Sequence, residues 1–360
     1  TVGTMAAIPL LDSILLVIVA NAILWLGFAA AIPVLTLLVV SGEPEENWSG
    51  FIAKLNKYQG IGWAAGLAIG FVVIAAMSRV SELIVAQRLF FFVCAACAGI
   101  GLLIGLRTLP ADPARGAEPT QRRLQRFTGR AQRFNIRGAS FPFSPSRFDP
   151  RGLHPRRFVE RFTSQLATYF LAVFLVFTGF GVFFAPLPAY LSDIGYGSDG
   201  IFALYLVLNV GAAVFYGQAA LLVGRFTLIR THVGGLLTRG VVFPTIAVAG
   251  AIFGRTVLGT GVVTLLFFVL GLTWAVIAVT AATLVTKLTP VVIRGEALGV
   301  YGALVAVGGG VGGLLGGSLA SLGYTVVFGV SGGLVLFGVG VVFVLSRRLS
   351  PASTFGETPV

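Results

Sequence analysis

Apolar residues run along this chain in stretches of about twenty to thirty positions, separated by short polar breaks. A helix needs about 20 apolar residues to cross the hydrocarbon core of a bilayer, and only helices or closed barrels satisfy their backbone there. On that rule nine runs predict spanning helices, near 12–40, 57–77, 83–106, 164–190, 200–223, 233–253, 257–286, 295–321 and 323–346. The breaks carry turn or interface chemistry: GEPEENWSG at 42–50, SDIGYGSDG at 192–200, GRFTLIRTH at 224–232 and KLTPVVIRGE at 287–296. Pro186 and Pro188, near the end of the fourth run, predict a terminal kink. The expected fold class is therefore an all-α polytopic bundle.

One stretch breaks this pattern. Residues 107–163 are rich in arginine, and Arg107 to Arg161 hold 13 of the 25 Lys and Arg residues. This divides the chain into a first helical block at 1–106, a basic linker at 107–163, a second block of six spans at 164–346 and a tail at 347–360. Assigning Lys and Arg to alternate loops, with Arg239 counted in a loop, gives 22 on one side and 3 on the other. The positive-inside rule then puts the linker and the C-terminus in the cytoplasm of a multi-pass cell-membrane protein, with Thr1 outside. Thr1–Leu11 shows no signal-peptide pattern, so an upstream piece is expected.

With hydrophobic residues at 56% and charged residues at 11%, an ordinary soluble domain is excluded. The net charge of +12 is read as membrane topology, and no nucleic-acid partner is expected. Cys94 and Cys97 have CxxC spacing but lie in an apolar run, which reads as packing thiols rather than a redox or metal pair. His154 and His232 both fall in loop-like sequence, and the spans read as free of ionisable residues. No convergent set of nucleophile, base or metal ligands is visible, and no GxxxxGK[ST] loop occurs, so neither an enzyme nor a cofactor is expected.

Two glycine-rich helices occupy matching places in the two blocks. KLNKYQGIGWAAGLAIG (54–70) carries Gly60, Gly66 and Gly70, and IRGEALGVYGALVAVGGGVGGLLGG (293–317) carries Gly308, Gly312 and Gly316. Small-residue faces let helix backbones approach closely in membranes, which predicts packing or gating surfaces. Arg294 and Glu296 flank the start of the second of these helices as cap or gate candidates.

From TPVVIRGEALGVYGAL through SLASLGYTVVFGVSGGL the chain resembles the last helices of the major facilitator superfamily, and its basic linker resembles that family's long central loop. The nine spans then resemble helices four to twelve, with the first three-helix repeat absent. Gly60–Gly70 lacks the proline of the helix-five motif of many antiporters. The resemblance implies a secondary active transporter working by alternating access, whose path is lined by the first helix of each three-helix repeat. On those helices Asn21 and Trp25, Tyr169 and Phe177, and Thr264 and Trp274 are the candidate substrate contacts. An aromatic, uncharged path implies a neutral or hydrophobic solute. The expected partners are that small molecule, a candidate coupling ion and the bilayer, for a monomeric protein; a non-transporting sensor or assembly protein is the alternative.

Overall fold

The structure, a computed structural model, describes residues 2–40, 43–77, 83–108, 162–290 and 293–348. The described residues form helices and connecting turns, with no strand among them. The helices are α1 (Val2–Ala7), α2 (Ile14–Val40), α3 (Trp48–Met77), α4 (Leu83–Thr108), α5 (Ser164–Phe184), α6 (Leu187–Asp193), α7 (Ser198–Arg225), α8 (Leu228–Phe253), α9 (Val257–Leu288), α10 (Arg294–Leu319) and α11 (Tyr324–Arg348). Among the described residues, eight segments are long and apolar enough to cross a membrane: Leu15–Val40, Arg88–Thr108, Ser164–Asp193, Gly200–Arg225, Leu228–Phe253, Val257–Leu288, Arg294–Leu322 and Tyr324–Arg347. The ninth expected span corresponds to α3, which is long but is not among these eight; its first turns carry Lys54 and Lys57. The basic linker falls almost wholly on 109–161, outside the described residues.

Helix starts in the second block are set by threonines. Thr163, Thr227 and Thr256 each hold an extended backbone, and each hydroxyl accepts the N–H three residues on, from Leu166 (3.2 Å), Arg230 (3.4 Å) and Gly259 (3.0 Å). Each bond satisfies one of the four donors a helix leaves open at its start. The expected kink near Pro186 is a break, since α5 stops at Phe184 and α6 begins at Leu187.

The chain divides into two compact units. The first comprises residues 1–44 and 62–148. In it α1 packs on α4 and α2, and Trp25 stacks on Trp63 with ring centroids 6.3 Å apart. Phe28 stands edge-on to both rings. Leu15, Leu26, Leu102 and Leu106 are exposed on its helices, as expected where lipid replaces a protein neighbour.

The second unit comprises residues 45–61 and 149–360. Its α5 packs against α10 and α11, α9 against α7 and α8, and α8 also against α11. The α5–α10 contact runs backbone to backbone. Gly308, Gly312 and Gly316 are buried one turn apart, and a Cβ on each would meet the carbonyl of Phe174, Thr178 or Val182 respectively. Gly181 of α5 returns the fit against Gly309 and Gly313. On the α11 side of α5, the Ser331 hydroxyl donates to the Gly179 carbonyl at 2.7 Å. Gly271 of α9 presses on the Leu208 carbonyl of α7 in the same manner. Without a hydrophobic drive between helices in lipid, this close van der Waals contact is a main part of what holds the unit together.

Candidate functional site

The site is built on α8. Capped at Thr227, this helix starts five residues before the expected 233, so that its inner face reads His232, Leu236, Arg239 and Phe243 at steps of four, three and four. All four are buried. Two expectations are overturned here. His232 lies in a helix, not a loop, and Arg239 stands near the middle of a membrane-crossing helix, so the spans are not free of ionisable groups. Removing Arg239 from the loop count still leaves the charge split strongly one-sided.

Arg239 is 1% exposed. Its guanidinium carbon sits 4.5 Å from the ring centre of Phe180, 5.4 Å from that of Trp274, and 5.6 Å from those of Phe184 and Phe243. Three helices contribute to this cage: α5 gives Phe180 and Phe184, α8 gives Phe243, and α9 gives Trp274. Aromatic faces attract a cation, by about 2 kcal/mol when the pair is desolvated. They do not accept its hydrogen bonds in full, and Nε and Nη1 have no hydrogen-bond partner among the described residues. Leaving a buried charged donor unsatisfied costs about 1–3 kcal/mol or more. Asp193 closes α6 and Glu296 opens α10, and no ion pair to Arg239 occurs among the described residues.

About two turns toward the start of α8, His232 is fully served. Thr280 Oγ1 lies 2.6 Å from the Val276 carbonyl, to which it donates, so it accepts from His232 Nδ1–H at 2.8 Å. Nε2 then accepts from the Tyr169 hydroxyl at 3.3 Å. This relay of donors ties α5, α8 and α9 together, and the tautomer follows from the partners. Beside it Tyr169, Val173, Phe177, Leu236 and Ile277 line a small cavity of about 10 Å³, room for roughly one water. Phe177 joins the two clusters, 5.0 Å from Phe180 and 6.3 Å from Trp274 by ring centroids.

The expected site residues are thus only partly brought together. Tyr169, Phe177 and Trp274 meet around α8. Thr264 is half-buried on α9, ten residues and so about 15 Å along the axis from Trp274. Asn21 and Trp25 belong to the first unit; Asn21 is exposed there, and Trp25 is 49% exposed beside Trp63. Asn209 bonds the Tyr205 carbonyl of its own helix rather than a neighbour, and Gln218 is exposed.

Of the first glycine face, Gly60 abuts Tyr216 and Ala213 of α7, and Gly70 faces Phe90 of α4. A Cβ at Gly66 would meet open space, so these three do not form one seam. Arg294 donates from Nε to the Thr286 carbonyl at 3.1 Å, in the last turn of α9 where carbonyls lack helix partners. Its guanidinium also lies 4.4 Å over the buried Trp48 ring. Glu296 stands in the first turn of α10, where a negative charge complements the helix dipole. Cys94 and Cys97 are free, and no group of three or more His, Cys, Asp or Glu residues that could hold a metal occurs among the described residues.

A polytopic helical bundle with a polar and aromatic cluster deep between its spans is an architecture that membrane transport proteins use. The sequence pattern described as Major Facilitator Superfamily matches residues 1–291, and the chain belongs to that family of transporters. Among solved structures it is similar to the human organic anion transporter MFSD10 (TETRAN), at 17% identity and a TM-score of 0.63, over 95% of this chain and 74% of that one. It is also similar to a bacterial homologue of the iron transporter ferroportin in an outward-facing state, at 17% identity and a TM-score of 0.46, over 96% of this chain and 93% of that one. No curated protein sequence matches it.

Proposed function

We propose that this chain is a secondary active transporter that carries a small organic solute with an aromatic or otherwise apolar body by alternating access. The observation carrying this reading is the cluster of Phe177, Phe180 and Trp274 around the midpoint of α8, where a flat apolar group can stack. The sequence alone pointed to a neutral or hydrophobic solute on the premise that no span holds an ionisable group. Arg239 removes that premise, while the aromatic lining remains.

Orientation belongs to the same proposal: the basic linker and the C-terminus face the cytoplasm, a placement that the arginine distribution supports. Ser140→Cys, in a background lacking Cys94 and Cys97, is expected to resist an impermeant thiol reagent in intact cells and to react after permeabilisation. Labelling in intact cells would reverse the topology.

Uptake tests the transport reading. Proteoliposomes are to be assayed with 4-nitrophenyl glucoside, neutral, and naphthalene-2-sulfonate, anionic, both slow to leak through lipid. Saturable uptake of at least one is expected, reduced roughly tenfold by Trp274→Ala, since an aromatic contact is worth about 0.5–1.5 kcal/mol beyond its buried area. Proteoliposomes indistinguishable from empty vesicles with both solutes would refute the proposal. Binding without uptake would favour a non-transporting sensor.

A further inference from the structure

Most other buried polar side chains around α8 have a use. His232, Tyr169 and Thr280 satisfy one another, Thr283 and Thr286 bond their own helix, and Tyr190 donates to the Ile246 and Ala247 carbonyls. Arg239 stands apart from them. It is 1% exposed, caged by four aromatic rings, and open at Nε and Nη1. If its role were packing alone, an apolar side chain of the same length would fill the space without the cost of a buried charge. An intramembrane cation calls for an anion, and no carboxylate among the described residues supplies one to it.

We propose that Arg239 is the charge-recognition residue of the solute site, and that the solute is an aromatic organic monoanion. Its carboxylate or sulfonate accepts from the open guanidinium N–H groups, and its ring stacks among Phe177, Phe180 and Trp274. This rests on the transporter reading for the site's purpose, but the binding claim stands without it. The chemistry of the cage decides the class. The aromatic rings around the guanidinium exclude a large hydrated ion, and only apolar surface can cover them once the charge is met. A single guanidinium balances one negative charge, which argues against di- and triphosphates. Because Arg239 is closed off here, the anion reaches it when the Phe180, Phe184 and Trp274 side chains move aside.

The test is equilibrium binding to the purified full chain in detergent. The probes are naphthalene-2-sulfonate and naphthalene-2-sulfonamide, nearly equal in shape and different in charge. A hydrogen bond to a charged group is worth enough that wild type is expected to prefer the sulfonate by roughly tenfold to a hundredfold. Arg239→Met is expected to lose that preference while keeping its sulfonamide affinity, and Arg239→Lys to keep part of it. Monodispersity and melting temperature report folding of each variant. Should Arg239→Met not fold, Arg239→Lys carries the test through reduced but persistent charge preference, because lysine keeps the charge and loses the planar fork.

Equal affinity of wild type for both probes would overturn the proposal. So would an unchanged preference in Arg239→Met, or no sulfonate binding by folded wild type up to about 1 mM. Chloride stabilising the protein as well as naphthalene-2-sulfonate would overturn it in favour of an inorganic-anion site. Charge-selective binding without uptake would refute transport and leave this inference intact; uptake of the neutral glucoside with no charge preference in binding would do the reverse.

Discussion

Two sides of α5 use opposite means to meet their neighbours. Toward α10 it lies backbone on backbone, with Gly308, Gly312 and Gly316 against the carbonyls of Phe174, Thr178 and Val182. Toward α8 and α9 it presents Phe177, Phe180 and Phe184, large rings that surround a buried cation and a histidine relay. The first contact has no spare volume and no spare polarity. The second has hydrogen-bond donors in hand. On the proposed reading the difference separates framework from function: a site that must bind and release a solute cannot be built from surfaces already complementary to each other.

The largest expected effect lies on the glycine side. Gly312→Val drives a branched side chain into the Thr178 carbonyl, and forced overpacking costs about 1–3 kcal/mol or more. The recovered monodisperse protein and its melting temperature should both fall sharply. Gly317→Val, one position past the seam where a Cβ meets nothing within 4 Å, should leave both near wild type. Equal behaviour of the two variants would dissolve the distinction between the seam and the rest of α10.

The aromatic side should respond more gently. Tyr169→Phe removes the donor to His232 Nε2 and leaves a buried acceptor unmatched, at about 1–3 kcal/mol. Thr280→Val removes the partner of Nδ1, and the two losses should be less than additive because they act on one chain of bonds. A double-mutant cycle by thermal or denaturant unfolding measures this coupling, and strict additivity would show that the relay does not act as a unit.

Much of this was legible in the sequence and some was not. Nine apolar runs map onto nine long helices among the described residues because spanning length and polar punctuation are local properties. The start of α8 was misplaced because Arg230, Thr231 and His232 read as loop chemistry, although Thr227 is a plain N-cap signal. With the start set five residues late, Arg239 fell near the start of the expected span 233–253 and was counted with the loop charges, and the His232–Arg239 face was lost. The cage itself was not local: Phe180 and Trp274 lie 59 and 35 positions away from Arg239, and only packing brings them to it. Glycine patterning identified the seam on α10 but over-read the one on α3, where Gly66 meets nothing.

The most direct test of the central claim is the initial rate of naphthalene-2-sulfonate uptake into proteoliposomes bearing wild type or Arg239→Met, at matched protein load. Saturable uptake by wild type that falls to the empty-vesicle rate in Arg239→Met is the predicted result. Equal rates for the two proteins, or a wild-type rate no higher than that of empty vesicles, would contradict the account.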